Sequence, residues 1–220
     1  MSAPFVNIHT HTATGDGIEL VNIDKFEAVP QSGFVSAGLH PWNIGDFDCP
    51  QTLATIGEWC RGGRVAAVGE IGLDRSIATD IDRQKEILAL QLEIAQQFQL
   101  PVVIHCVRAY SDFLQIMSHW PQVPTIFHGF NGNLTIAEQL LSRGAMLSFG
   151  YKLLFDKKLQ EVFAAIPNDC IFFETDTKSV KIGDIYNFAA ALKNISVDEV
   201  KRIIFSNLTC IFGNRWTTIG

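Results

Sequence analysis

The sequence is poor in positive charge, has no long apolar run, and carries cysteines that form no pattern. Its 17 Lys and Arg are outnumbered by 23 Asp and Glu, for a net charge of −6. That balance argues against a protein that grips nucleic acid over a broad basic face. It leaves room for an enzyme that meets a phosphodiester at one small metal-centred site, where the ions supply the positive charge. The apolar runs are short, as in Val65-Ala66-Ala67-Val68 and Pro101-Val102-Val103-Ile104. None approaches the ~18–20 residues that span a bilayer, so no membrane partner is expected. The first residues show no basic, signal-like leader. The five cysteines (Cys49, Cys60, Cys106, Cys170, Cys210) are odd in number and include no CxxC. They read as reduced thiols of a cytoplasmic protein, not as a disulfide framework or a zinc ribbon. Internal repeats, low-complexity stretches and interdomain linkers are also lacking.

What is present is alternation. Hydrophobic residues make up 47% of the 220 residues and charged ones 18%, enough for a sizeable core. Short β-rich runs alternate with longer helical patterns, as in βα units around a parallel sheet. The expected strands are Phe5–His9, Glu19–Ile23, Phe34–Leu39, Val65–Gly69, Val102–His105, Thr125–Phe127, Ala145–Phe149 and Ile171–Glu174, with a weak ninth run at Arg202–Phe205. The expected helices are Pro50–Arg61, Ile81–Phe98, Tyr110–His119, Leu134–Ser142, Lys157–Ala165, Ile185–Lys193 and Val197–Lys201, with a helical turn at Asn207–Phe212. In Ile81–Phe98 the residues Ile81, Leu88, Leu92 and Ala95 recur at helical spacing, and Ile87, Leu90 and Ile94 widen the stripe. This pattern predicts an α/β fold, a TIM-like (β/α)₈ barrel filling residues 1–220 as one domain. Between His11 and Phe34 there is no room for a full strand–helix–strand, so one outer helix near the N-terminus is expected to be missing or reduced.

A parallel barrel gathers its chemistry at the C-terminal ends of its strands. The polar residues there are unusually uniform. The first run ends in His9 and His11, which project from one face of an extended strand. Later runs end in Glu70, His105, His128 and Asp176. Four imidazoles and two carboxylates at one end of five strands form an N/O ligand set for one or two divalent cations. Each residue alone has a plainer reading. Glu70 could pair with an arginine, His105 and His128 could be satisfied half-buried histidines, and Asp176 could cap a turn. Those readings are separate accidents, whereas a metal site explains all six positions together. His119, in Met117-Ser118-His119-Trp120-Pro121, reads instead as a surface histidine at a helix end. Trp42, Trp59 and Trp216 fit either a core or an interface.

The ordered motifs Asn7-Ile8-His9-Thr10-His11, Gly38-Leu39-His40-Pro41-Trp42, Gly69-Glu70-Ile71-Gly72-Leu73-Asp74, Pro101-Val102-Val103-Ile104-His105-Cys106, His128-Gly129-Phe130 and Glu174-Thr175-Asp176 resemble the TatD family of metal-dependent hydrolases, a branch of the amidohydrolase-like barrels. The resemblance runs from the first strand to Asn207. It implies two divalent ions (Mg, Mn or Zn), with His9, His11 and Asp176 on one, His105 and His128 on the other, and Glu70 bridging. It implies hydrolysis of phosphodiesters as a 3′–5′ deoxyribonuclease, with Asp176 also taking the proton of the attacking water and Glu70 completing the catalytic pair. His40 is similar to a family position near the substrate, expected to touch phosphate or support a ligand. Imidazole and carboxylate suit Zn²⁺, Mn²⁺ or Fe²⁺, while Mg²⁺ usually prefers more oxygen.

The chain departs from the family pattern at several points. Asn7 replaces an aspartate common before the first HxH, which weakens the expected orientation of the two histidines. Thr177-Lys178-Ser179-Val180 replaces a Ser-Pro-aromatic pattern. Arg108 follows His105 by three residues instead of two. The basic candidates for a substrate phosphate are Arg75, Arg108, Lys152 and Lys178, with Arg108 and Lys178 foremost. The expected substrate is DNA ends or a small phosphodiester. The alternatives are amide or deamination chemistry and a non-catalytic binding descendant. Many binuclear amidohydrolase-like enzymes bridge their metals through a carboxylated lysine, and here no lysine ends an apolar run.

Overall fold

The structure is a computed structural model that describes residues 3–30 and 33–218. Eight strands form one wholly parallel sheet in sequential order. They are β1 (Val6–Thr10), β2 (Ile18–Ile23), β3 (Val35–Ala37), β4 (Ala67–Asp74), β5 (Val102–Val107), β6 (Thr125–Phe127), β7 (Met146–Phe149) and β8 (Ile171–Phe173). The sheet curls until β8 meets β1. The Asp176 amide donates to the His9 carbonyl (3.0 Å), and Thr10 bridges to Asp176 in parallel. The strands are buried on both faces, which is why the sequence shows continuous apolar runs where an antiparallel sheet would alternate.

The helices wrap the outside: α1 (Cys49–Arg61), α2 (Ile81–Phe98), α3 (Tyr110–Met117), α4 (Leu134–Leu141), α5 (Lys157–Ala165), α6 (Ile182–Lys193), α7 (Val197–Phe212) and α8 (Arg215–Thr218). Their starts are written in the sequence. Asp48, Asp80, Asn133, Asp156 and Ser196 each accept a backbone N–H of the first turn. α2 buries Ile87, Leu88, Leu92 and Ala95 of the predicted stripe; Ile81 and Ile94 are half-buried, and Leu90, expected to widen the stripe, instead faces solvent at 43% exposure. No helix among the described residues is long and apolar enough to cross a membrane.

Three expectations are corrected. Two outer helices are absent among the described residues, one after β1 and one after β2, where one missing or reduced helix is expected from the sequence. Residues 11–17 are too few for strand, helix and loops, and residues 24–34 carry Pro30 and Gly33. Arg202–Phe205 is not a strand but the middle of α7, which joins it to the flanking helical segments. Val200, Ile204, Leu208 and Phe212 are buried at helical spacing, and that face outweighs the local β-branched Ile203-Ile204. Finally, β4 continues to Asp74, so Glu70 lies inside the strand and not at its end.

Two irregularities aim the key side chains. The β1–β2 register shifts between Asn7 and Thr10, across His9, and the β4–β5 register shifts between Val68 and Ile71, across Glu70. Such bulges bend a strand and redirect the residues they contain. Gly72 adopts φ +154°, and a Cβ there would fall on the carbonyl oxygen of His105. Only glycine lets β4 and β5 approach this closely, which sets Glu70 and His105 side by side. At the start of β1, the buried Tyr186 hydroxyl of α6 accepts the Val6 N–H (3.0 Å) and donates to the Val6 carbonyl (2.9 Å).

Candidate metal centre

His9, His11, Glu70, His105, His128 and Asp176 converge at the C-terminal mouth of the barrel. Glu70 is at the middle and is 4% exposed. Its two oxygens face different partners. Oε1 lies 2.7 Å from His128 Nε2, 2.8 Å from His105 Nδ1 and 3.1 Å from His40 Nε2. Oε2 lies 3.3 Å from His9 Nε2 and 3.7 Å from His11 Nε2. Asp176, in a left-handed turn at φ +53°, brings Oδ1 to 3.5 Å from His11 Nε2 and 3.7 Å from His9 Nε2.

The outward side of three imidazoles is held by carboxylates that the sequence reading did not assign. Asp24 Oδ2 is 2.8 Å from His11 Nδ1, Asp74 Oδ2 is 3.1 Å from His105 Nε2, and Glu174 Oε1 is 3.3 Å from His128 Nδ1. A ring N–H donated outward to a carboxylate leaves the inner nitrogen as a lone pair, the arrangement that orients histidine toward a metal. His40 differs. Its Nδ1 accepts the Trp42 N–H at 3.1 Å, so its Nε2 carries the proton and donates to Glu70 Oε1. In this tautomer His40 is a hydrogen-bond donor beside the centre and not a ligand.

Asn7 does not touch the histidines. It donates to Thr175 Oγ1 (2.8 Å) and accepts the Thr175 N–H (3.0 Å), clamping β1 to the segment after β8. The expectation that it weakens histidine orientation is therefore replaced by a role in closing the barrel. Its amide supplies both a donor and an acceptor, which an aspartate cannot.

The donor set fits divalent cations. His9 is fully buried, and neither of its ring nitrogens has a hydrogen-bond partner. A buried lone pair without a partner is costly unless something else fills its place. The combinations His9–His11–Asp176, His9–Glu70–His128 and His40–Glu70–His105 each bring three donor atoms close enough to share one ion, the last only if the His40 Nε2 gives up the proton it donates to Glu70. Burial pushes the Glu70 carboxyl upward, but the charge on His128 and hydrogen bonds from His105, His11 and His128 hold it well below its usual range. Burial pushes His128 downward, but Glu70 and Glu174 raise it well above the usual histidine value. His11 is pushed up to about 10, first by its bond to Asp24 and then by Glu70. The carboxylates of this centre thus demand positive charge, which protons meet when no metal is bound and cations can meet in their place.

Two clefts open onto the centre. One, of about 260 Å³, is lined by His11, Asp24, His40, Trp42 and Glu70. Trp42 is 60% exposed there, and its Nε1 donates to Asp74 Oδ2 at 2.8 Å. Trp59 and Trp216 instead pack half-buried against the core. The other cleft, of about 330 Å³, is lined by His105, His128 and Asp176 on one side and by Tyr151, Lys152, Phe155 and Lys178 on the other. Of the basic candidates, Lys152 and Lys178 line a cleft. Arg108 is exposed at φ +54° and lines neither. Arg75 is turned away, held by both oxygens of Asp112 at 2.8 Å. His119 is exposed just beyond α3 and takes no part.

The chain as a whole is similar to several known proteins. A sequence model of the family described as TatD related DNase matches residues 5–213. An uncharacterized metal-dependent hydrolase of Bacillus subtilis, YabD, is 34% identical over 157 residues, which is 68% of this chain and 61% of that protein. A protein of Erwinia billingiae named 3′-5′ ssDNA/RNA exonuclease TatD is 30% identical over 148 residues, 64% of this chain and 56% of its own length. The chain thus spans about six-tenths of these two relatives. The crystal structure of YjjV, a TatD homologue of Escherichia coli, superimposes with a TM-score of 0.85 at 22% identity, over 96% of this chain and 99% of that one.

Proposed function

The chain belongs to the TatD related DNase family of metal-dependent hydrolases, and from that premise we propose that it hydrolyses phosphodiesters at DNA ends or in small nucleotide substrates, with two divalent ions. His9, His11 and Asp176 would hold one ion, His105 and His128 the other, and Glu70 would span both. The observation that carries this reading is the division of Glu70, with Oε2 toward His9 and His11 and Oε1 toward His105 and His128. Ions so held supply an activated water at neutral pH and compensate the charge on the departing oxygen.

The protein's own groups set the geometry for this. Asp176 is a third exposed at the rim, and in this reading it would accept the proton of the attacking water. His40 keeps its Nε2–H on Glu70 and stands where it can also meet a phosphoryl oxygen. Asp24, Asp74 and Glu174 fix the imidazole tautomers. Glu70 lies between the two pairs of imidazoles, where a carboxylated lysine would otherwise be wanted, and this supports the phosphodiesterase reading over amide chemistry.

The test is to strip the protein with chelator and restore Mn²⁺, Mg²⁺ or Zn²⁺ separately. Single-stranded DNA and a chromogenic phosphodiester are then assayed. Turnover that needs metal and is lost in Glu70→Ala is expected. No metal-dependent turnover on either substrate refutes the phosphodiesterase reading.

A further inference from the structure

From the cleft between the β6, β7 and β8 loops we infer a nucleoside subsite, in which Tyr151 and Phe155 stack on the base next to the scissile phosphate while Lys152 and Lys178 meet the adjoining backbone phosphate. This inference rests on the phosphodiesterase reading above and names the part of the substrate recognised beside the metals.

Tyr151 and Phe155 are among the few large hydrophobic side chains left exposed, at 45% and 58%. They are neighbours, with ring centroids 4.9 Å apart in an edge-to-face arrangement. Exposed aromatic rings grouped at a cleft mark a binding surface more often than scattered apolar residues do. Their backbone is not loose. The short helix Tyr151–Leu154 is anchored by the fully buried Leu153, and the Phe155 amide donates to the Lys152 carbonyl at 3.2 Å. The rings are thus presented from a fixed turn at the end of β7.

The cleft is continuous with the candidate metal centre, because His105, His128 and Asp176 line both. A phosphodiester seated at the centre would direct its neighbouring nucleoside into this space. At about 330 Å³ the cleft is at the small end of small-molecule sites, with room for one nucleotide unit. The buried Phe130 lines it from within, and the two lysines add positive charge in a chain whose net charge is −6. An aromatic surface with a few cations is the combination that binds unpaired nucleotides without base-specific hydrogen bonds.

The test compares two ligands that differ only by the base, deoxyadenosine 5′-monophosphate and 2-deoxyribose 5-phosphate. Each is titrated by calorimetry into Mn²⁺-loaded protein, so no turnover is needed. The nucleotide is expected to bind between about fivefold and a hundredfold more tightly. That preference should vanish in the Tyr151→Ala/Phe155→Ala double variant and persist in Phe155→Trp, with thermal melting confirming that both variants are folded. Equal affinity for the two ligands, no binding of either, or a preference unchanged in the double variant would overturn the subsite. Each of these results is separate from the turnover test above, since a protein that hydrolyses a chromogenic phosphodiester but ignores the base keeps the phosphodiesterase reading and loses this one.

Discussion

Asp24 is more than half exposed, yet it holds the Nδ1 of His11 at 2.8 Å and thereby decides which nitrogen of that ring faces inward. Without it, His11 would divide between tautomers and rotate more freely, and part of the free energy of metal binding would go into fixing it. Outer partners of this kind typically contribute 10- to 100-fold in metal affinity. Asp24→Ala should therefore weaken binding of Mn²⁺ or Zn²⁺ by about 10- to 100-fold in a calorimetric titration, and should also lower the melting temperature of the metal-free protein, because Asp24 accepts from Asn22 and stabilises the charge on His11. Unchanged affinity would remove Asp24 from the support of the centre. Residues like Asp24 also mark the limit of the sequence reading. His9, His11, His105 and His128 were legible because each follows an apolar run, and few other pressures place histidine there. Asp24, Asp74 and Glu174 also sit at strand ends, but an acid in that position looks the same as any turn or cap. Their role depends on which ring lies across the barrel, and that is fixed by strand order and register and not by local sequence. His40 carries the same lesson, since only the Trp42 N–H on its Nδ1 turns it from a possible ligand into a donor.

Among the elements, β4 and β5 carry the most consequence for their length. The bulge across Glu70 and the close approach at Gly72 place Glu70 Oε1 at 2.8 Å from His105 Nδ1. In the sequence the apolar run Val65–Gly69 stops at the charged Glu70, which places the end of the expected strand at Gly69. The strand continues because Gly69 and Gly72 serve contact between neighbouring backbones and not chain reversal. Ala at position 72 must adopt an unfavourable backbone conformation and also push β5 away. Gly72→Ala should cost about 2–4 kcal/mol in urea denaturation and should lower metal affinity in parallel, since the displaced strand carries His105. A variant within about 0.5 kcal/mol of the parent would show that the two strands tolerate separation. The helices were legible in proportion to their periodicity. α2, with a long amphipathic stripe and an Asp80 cap, falls where expected. α7 was broken into pieces because its burial pattern emerges only over four turns, while Ile203-Ile204 alone resembles a strand.

At the scale of the whole molecule, the barrel brings residues from both ends of the chain together. Asn7 of β1 clamps Thr175, and Asp176 joins His9 and His11 across the same seam. The charge distribution follows a different logic from that of a nucleic-acid-binding face. Several of the 17 basic residues are occupied elsewhere, Arg75 and Lys85 by Asp112, Arg83 by Glu86, and Lys193 by the carbonyls of Ala164 and Ile166. Among the described residues, Lys152 and Lys178 are the only basic ones lining the cleft of Tyr151 and Phe155. Polyelectrolyte theory turns this into a measurable slope. For single strands, log K falls against log[salt] by about 0.7 for each phosphate neutralised. Two lysines predict a slope of about −1.4, and a third contact at the centre about −2. The affinity for a short single-stranded oligonucleotide, measured as KM from low to moderate salt at fixed metal, should therefore change only several-fold. A slope steeper than about −4 would require about six or more phosphate contacts. It would reveal a basic path along the surface that neither the net charge of −6 nor the two lysines of this cleft provides.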